Sequence, residues 1–326
     1  MKTLIIGSNG FVGLALSELL LAAGEEVIGY DINPLRQDAG KTFKNLPGFF
    51  FEEQGSVCDL TKLRLVINRH APQRMVNLAA ITADAKRECL TPQAIFDVNV
   101  GGALAAISAA ADEGVSRVVH ISSGAVYGFT GRTPGPLDEA RSPLAPEGLY
   151  GISKRSAEDA SRRLSRLRQV PLVIGRLGTC FGPWEADSGY RDTLSAPGQI
   201  LTVARQNGTA VLPRDSHRDW LYVRDAARAI ASLLAQSSWR RSLYNLAAGY
   251  EWRLSQWCER LALRYPDFSW HIAKSGESSN IDLFSNYDRA SMSIQRLKED
   301  FGFSPIYDLE TAEHDFHEWL AINSTL

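Results

Sequence analysis

The start of the chain constrains its fold most. The apolar run Thr3-Leu-Ile-Ile6 enters GSNGFVG (residues 7–13), and a helical pattern at Val12, Leu16, Leu19 and Leu20 follows at once. A strand, a glycine turn and a helix in direct succession make a βα unit. Gly7, Gly10 and Gly13 allow a tight turn whose backbone N–H groups can approach a pyrophosphate, and the positive helix end then stabilises it. Asn9, Phe11 and Val12 complete the candidate cofactor contacts of this turn. The next strand, residues 26–30, ends in Asp31, close to the spacing at which an acid meets an adenosine ribose. A carboxylate there accepts ribose hydroxyls and repels a 2'-phosphate, which favours NAD over NADP. Arg36 is the nearby residue able to offset that repulsion.

The alternation continues. Residues 48–51 read as a third strand, leading to Asp59 and Leu60 at the head of a helix over Leu60–His70. Asp59 is equally well placed as the cap of that helix or as an adenine contact. A fourth strand over residues 75–79 delivers Leu78, Ala79 and Ala80, where small side chains leave room for a dinucleotide outside the strand ends. A helix is expected over residues 92–114, with Asn99 beside Gly101 and Gly102; a polar group there faces solvent or a backbone group lacking a partner. A fifth strand, 117–122, brings Ser122 and Ser123 to the same edge, and 172–174 is a sixth. The predicted class is α/β, a doubly wound parallel sheet with a smaller, mostly C-terminal substrate domain.

Tyr150-Gly-Ile-Ser-Lys154 opens the helix before that sixth strand. Side chains at i and i+4 share a helix face, so a phenol and an ammonium can act on one target. An adjacent cation favours the phenolate and makes Tyr150 a usable general acid or base. Taken alone, the pair is equally an ordinary solvated helix face.

Composition narrows the classes. A formal net charge of −2 argues against a general nucleic-acid binder, and Arg162, Arg163, Arg166 and Arg168 read as one solvated helix face. Cys58, Cys89, Cys180 and Cys258 are scattered without a CxxC pair, so neither zinc nor a disulfide framework is signalled, and a cytoplasmic setting is expected. The apolar N-terminus is interrupted by Gly7, Ser8, Asn9 and Glu18, unlike a secretory signal. No stretch is expected to reach the roughly 20 apolar residues of a membrane span. His314 and His317 lack a third ligand and read as surface residues, so no metal is expected.

These segments, with NLAA (77–80), SSGAVYG (122–128), RLGTCFGP (176–183) and HRDWLYVRD (217–225), resemble the extended short-chain dehydrogenase/reductases, the NAD-dependent epimerase/dehydratase group, over nearly the whole length. The resemblance implies NAD as cofactor, a carbohydrate substrate and a homodimer through the helices at 92–114 and 150–168. It implies that Tyr150 is the catalytic acid/base, that Lys154 binds the nicotinamide ribose and lowers the Tyr150 pKa, and that Ser123 is the catalytic hydroxyl. Asn99 would help order the nicotinamide end, and Leu177 joins the cofactor contacts. Thr82, Ser123, Gly124, Thr179, Arg191 and Arg218 are the candidate substrate contacts. Two departures matter. Gly124-Ala125 stands where family dehydratases carry Asp-Glu, which argues against water loss, and Thr179 replaces an Asn that binds the diphosphate side of nucleotide sugars. GLYGISK (148–154) and RLGTC (176–180) are similar to the uronate dehydrogenase branch, whereas SSGAVYG is more similar to the epimerases.

The second half holds a Gly-, Trp- and Tyr-containing loop from Pro183 that reads as a lid. Arg191, Arg214 and Arg218 could form a fork for a carboxylate or phosphate, and His217 is not expected to be catalytic. Residues 220–223 read as a strand running into a helix capped by Asp225. The expected division is an NAD-binding domain over 1–175, completed by about 215–248, and a discontinuous substrate domain over 176–214 and 249–326. Direct oxidation of a sugar or sugar acid is expected slightly ahead of epimerisation, and a non-catalytic NAD sensor is the minor alternative.

Overall fold

The structure, a computed structural model, describes residues 1–186, 194–283 and 285–323. Seven parallel strands form the central sheet: β1 (Lys2–Ile6), β2 (Glu26–Asp31), β3 (Phe49–Gln54), β4 (Arg74–Asn77), β5 (Arg117–Ser123), β6 (Leu172–Leu177) and β7 (Leu243–Leu246). Their spatial order is β7-β6-β5-β4-β1-β2-β3. The chain therefore winds outward in one direction from β1 to β3 and in the other from β4 to β7. The crevice between β1 and β4, where the winding reverses, is where such sheets bind ligands.

Alternation along β1 assigns its side chains to two cores. Ile5 packs with Leu14, Leu16 and Leu20 of the Phe11–Ala22 helix and with Ala227 and Ile230 of the Val223–Ala235 helix. Leu4 and Ile6 pack on the opposite face with Leu63, Val66, Ala106 and Ala110. A third core, built on Phe181, Trp220, Tyr222, Trp252 and Trp257, lies outside the sheet and gathers residues from 181 to 316. Its rings meet edge to face, with Phe181 5.6 Å from Trp257 and 5.5 Å from Trp252.

Several expectations need correction. The fourth strand stops at Asn77, so Leu78 to Ala80 lie in the loop beyond it, and β6 continues past Ile174 to Leu177. The helix from Pro92 to Asp112 is 21 residues long and apolar enough to cross a bilayer, contrary to the expected absence of such a stretch. Its apolarity serves the fold: Ala106, Ala109 and Ala110 are fully buried in the core beside the sheet. Asp225 does not cap its helix, which begins at Val223; its carboxylate accepts the N–H groups of Ile306 and Tyr307 and pairs with Arg228. His317 is not a surface residue either, because it is held between Tyr265 and Glu313 on the Leu309–Asn323 helix. Arg191 and most of the expected lid lie outside the described residues.

Candidate active site

A cleft of about 1220 Å³ runs along the carboxyl edge of the sheet, and Gly7, Gly10 and Gly13 line it together with Ser123, Tyr150 and Lys154. The glycines are fixed by close backbone approach. Gly7 has φ +83°, and a Cβ there would lie 2.7 Å from the Ala79 nitrogen; one on Gly13 would lie 2.2 Å from the Gly7 carbonyl oxygen. The Phe11–Ala22 helix opens on Gly10 with no side-chain cap and no acid in its first turn. Its positive end is thus shaped for an anion. Asp31 accepts from the Asn9 N–H (3.0 Å) and from the Asn33 N–H (3.0 Å), one on each oxygen, which leaves each oxygen a second lone pair for a ribose hydroxyl. Burial raises its pKa against those two bonds. Arg36 lines the cleft but is paired with Asp38, so it is not held ready for a phosphate. These residues fit NAD.

Tyr150 reaches the cleft because three contacts fix its helix, Leu149–Arg168. Gly148 and Gly151 are needed for two of them: a Cβ would lie 2.8 Å from Glu88 Oε1 on the first and 2.7 Å from the Ala125 carbonyl on the second. Glu88 also accepts the Tyr150 backbone N–H at 3.3 Å, a carboxylate at the positive end of a helix that lacks its own side-chain cap. Gly151 brings that helix against the turn that follows Ser123. The Ser123 hydroxyl accepts from the Ala125 N–H (3.1 Å), so its own proton is left to donate.

Lys154 is buried, and its ammonium donates to the Ile121 carbonyl at 2.6 Å. Burial pushes its pKa down to about 8, while Glu158 one turn further along the helix opposes the shift. Beneath it lies a closed network. Glu158 accepts two bonds from Arg176, at 2.9 and 2.9 Å, and Arg176 also donates to the Tyr127 hydroxyl (3.0 Å), which in turn donates to Asn245 Oδ1 (2.8 Å). Burial would raise the Glu158 pKa, but its bonds to Arg176 outweigh this and hold it low. His120 beside this network is driven down to about 3 by burial and by the charges of Lys154 and Arg162, so it stays neutral.

Of the other predicted cofactor residues, Asn9, Phe11, Val12, Leu78, Ala80 and Leu177 line the cleft. Asp59, Leu60, Ala79 and Asn99 are not in its wall, and Asp31 stands directly behind it, bonded to the N–H groups of the lining residues Asn9 and Asn33. Asp59 is a cap: it is exposed and accepts the Lys62 N–H at 2.9 Å, with Leu60 the first residue of that helix. Ala79 packs on Gly7 instead. Asn99 is buried in a π-helical turn (Asp97–Gly101), accepts the Ile81 N–H (2.8 Å) and donates to the Ile81 carbonyl (3.1 Å) and to Ser153 (2.9 Å). It holds the β4 loop and the Tyr150 helix together, a backbone-satisfying role for which the widened turn makes room.

Among predicted substrate contacts, Thr82, Ser123, Thr179 and Arg218 line the cleft, whereas Gly124 is buried under Arg289. Arg214 is committed to Asp288 and the Ser285 carbonyl, and His217 faces Asp288 and Glu251. Trp184, expected in a lid, is instead an anchor, 1% exposed and donating to Glu18 at 2.7 Å. Sequence reasoning missed Glu88, Asp219 and Arg289. No local pattern marks Glu88 or Arg289, and HRDWLYVRD contains Asp219 without revealing its role, since each acts on a partner more than 60 residues away. Among the described residues, no group of three His, Cys, Asp or Glu side chains is arranged to hold a metal ion.

A doubly wound sheet with a glycine turn at its switch point and a Ser, Tyr and Lys set on one cleft defines a dinucleotide-dependent oxidoreductase fold. The chain belongs to the NAD dependent epimerase/dehydratase family, whose model matches residues 3–247. It is an NAD-dependent enzyme of the extended short-chain dehydrogenase/reductase type. It is 23% identical to a probable dTDP-glucose 4,6-dehydratase of Sinorhizobium fredii, over 99% of this chain and 93% of that protein. It is 24% identical to UDP-glucuronate 4-epimerase 1 of Arabidopsis thaliana, over 98% and 76%. In fold it is similar to the UDP-glucose 4-epimerase of Thermotoga maritima (TM-score 0.80, 19% identity, 99% of this chain and 100% of that one). It is also similar to the UDP-glucuronic acid 4-epimerase of Bacillus cereus, solved with UDP-glucuronic acid and NAD (TM-score 0.78, 18% identity, 99% of each chain).

Proposed function

We propose that the protein oxidises a secondary hydroxyl of a sugar or sugar acid, or reduces the corresponding ketone, with Tyr150, Ser123 and Lys154 as its catalytic set. The observation that carries this reading is the convergence of all three on the cleft that the glycine turn also lines. The turn at residues 7–13 and Asp31 hold NAD, which when bound supplies the acceptor for hydride. Tyr150 takes the hydroxyl proton, and Ser123 donates a hydrogen bond to the oxygen as it becomes a carbonyl. Lys154 supplies the positive charge that makes the Tyr150 phenol acidic, and the Ile121 carbonyl fixes its position. Gly124 and Ala125 offer no acid or base for water loss, which separates this reading from dehydration.

Epimerisation is the second reading, in which the keto sugar is kept and reduced on its other face; the likeness, over 97–98% of this chain, to proteins named as sugar epimerases favours it. The division of the chain near residue 175 into cofactor and substrate parts, a homodimer through the Pro92–Asp112 and Leu149–Arg168 helices, and a cytoplasmic setting belong to the same proposal. The test mixes the protein and NAD with free sugars, sugar acids and nucleotide sugars, following reduced cofactor and product stereochemistry together. Net reduced cofactor identifies a dehydrogenase; a changed stereocentre without it identifies an epimerase. Tyr150→Phe is expected to lower turnover by about 10²–10⁴-fold while NAD binding persists. Retained activity in that variant would overturn the assignment.

A further inference from the structure

Lys154 and Glu158 stand one turn apart on the Leu149–Arg168 helix, and both side chains lie on its buried face. The sheet beneath brings their ends together as well. The Lys154 ammonium is held by the Ile121 carbonyl of β5, while both Glu158 oxygens are held by Arg176 of β6. Arg176 pairs in register with Ser122, the residue after Ile121, so the two anchors occupy adjacent places on neighbouring strands. Neighbouring strands lie about 5 Å apart, and an i, i+4 pair on a helix spans about the same distance. Glu158 is therefore near enough to Lys154 to act on it through space, although its own hydrogen bonds go to arginines. Arg162 is the second of these, donating at 3.1 Å.

The other charged and titratable groups around Lys154 do not replace this carboxylate. On its own helix, Tyr150 is the phenol it serves, and Glu88 is bonded to the Tyr150 N–H at the helix start. His120 on β5 is buried and neutral. Tyr127, from the turn after β5, is bonded to Arg176 and Asn245. The Pro92–Asp112 helix packs on the same helix through Asn99 and Ser153; its Asp97 is exposed, and its Asp112 pairs with Arg168 at the far end. Among the described residues, Glu158 is thus the fully buried carboxylate set among the cations Lys154, Arg162 and Arg176. Burial drives the ammonium toward its neutral form, and the Glu158 charge opposes it.

We infer that Glu158 is a positioning residue that acts through Lys154: its buried carboxylate keeps the ammonium charged beside Tyr150 and so sets the alkaline limit of the reaction. Lys154 assists the phenol only while it is protonated. That charge is lost as pH rises through the folded pKa, and a nearby anion moves the loss to higher pH. Removing the anion brings the limit down toward neutrality, the more so because Arg176, no longer paired, then repels the ammonium. The bidentate bond from Arg176 accordingly has a use beyond stability, since it fixes the carboxylate where Lys154 feels it. The inference rests on the proposed reading of Tyr150 and Lys154 as the acid/base pair.

The experiment follows the Lys154 ammonium itself, by NMR titration of protein carrying a carbon-13 label at the lysine Cε positions, with the Lys154 signal identified by its loss in Lys154→Met. The midpoint is expected at about 8 in the unaltered protein. In Glu158→Gln it should fall by about one to two pH units, the size of a unit-charge interaction over roughly 6 Å at an effective dielectric near 20. Glu158→Asp, which keeps the charge, should bring it back to within about half a unit of the original. A carboxylate that only holds the helix on the sheet would lower stability and leave the midpoint in place, and that result overturns the inference. If Glu158→Gln does not fold, the Glu158→Gln, Arg176→Met double variant decides: its midpoint should still lie below the original, and an unmoved or raised one overturns the inference. With NAD and the sugar that the screen above identifies, the alkaline limb of the oxidation rate should move to lower pH in Glu158→Gln by the same amount as the midpoint. A limb that stays put overturns the inference too. A shifted midpoint in a protein that turns over no sugar sinks the proposed function and leaves the link between Glu158 and Lys154 standing; turnover with an unmoved midpoint does the reverse.

Discussion

The two ends of the cleft are built from different materials. The cofactor end is backbone: glycines whose missing side chains let loops touch, and a helix end free of any side-chain cap. The end beside Ser123 and Tyr150 is side chain, with Lys154, Glu158, Arg176, Arg218, Asp219 and Arg289 all buried or nearly so. Steric exclusion governs the first and charge balance the second. The difference teaches where each end is fragile: a methyl group is enough to close one, and a single uncompensated charge is enough to unbalance the other.

Four measurements would break or sharpen that contrast. The largest effect is expected from Glu158→Gln, which leaves Arg176 buried without its counter-charge and should cost about 3–5 kcal/mol in urea unfolding. Recovery of much of that loss in the Glu158→Gln, Arg176→Met double variant would show that charge balance, not packing, is responsible. Next comes Lys154. Its folded pKa of about 8 lies below the ordinary value of 10.5, so between these pH values the unfolded chain binds the extra proton and stability rises with pH. The burial penalty is present in full below pH 8 and fades toward pH 10.5. Relative to Lys154→Met, the unaltered protein should therefore gain up to about 3 kcal/mol across that window. A flat difference would mean the ammonium is not desolvated.

At the backbone end, Gly13→Ala puts a Cβ against the Gly7 carbonyl and should weaken NAD binding by about 10- to 100-fold, read by fluorescence titration. Binding within twofold of the original would show that the turn is not the pyrophosphate cradle. The smallest effect is expected from Arg36→Ala. Because Arg36 is already paired with Asp38, NAD affinity should change by less than about threefold, in the range of a surface ion pair. A tenfold loss would place that guanidinium on the cofactor and erode the contrast between the ends.

Legibility in the sequence follows the same division. Glycine spacing, Asp31 after the second strand and the i, i+4 relation of Tyr150 and Lys154 are local, so their pattern survives in the linear chain. Asp59 is ambiguous in the sequence because capping and ligand contact use the same residue type at the same place; the structure shows the cap, with one carboxylate oxygen accepting the Lys62 N–H. Trp184 reads as part of a lid from the sequence, because an aromatic among charges resembles one, whereas in the fold it packs against Trp319, 5.0 Å away.

By itself, then, the sequence determined the parallel sheet, the glycine turn at its switch point and the shared helix face of Tyr150 and Lys154, since period, turn chemistry and helical spacing are properties of neighbours along the chain; only the family resemblance adds Ser123 to that pair. Only the tertiary structure decided which charges are buried together. Glu88 reaches Tyr150 across 62 residues, Glu158 reaches Arg176 across 18, and Arg289 arrives over Gly124 from a segment 165 positions later. Desolvation and charge balance depend on who surrounds a group in space, and no local pattern encodes that.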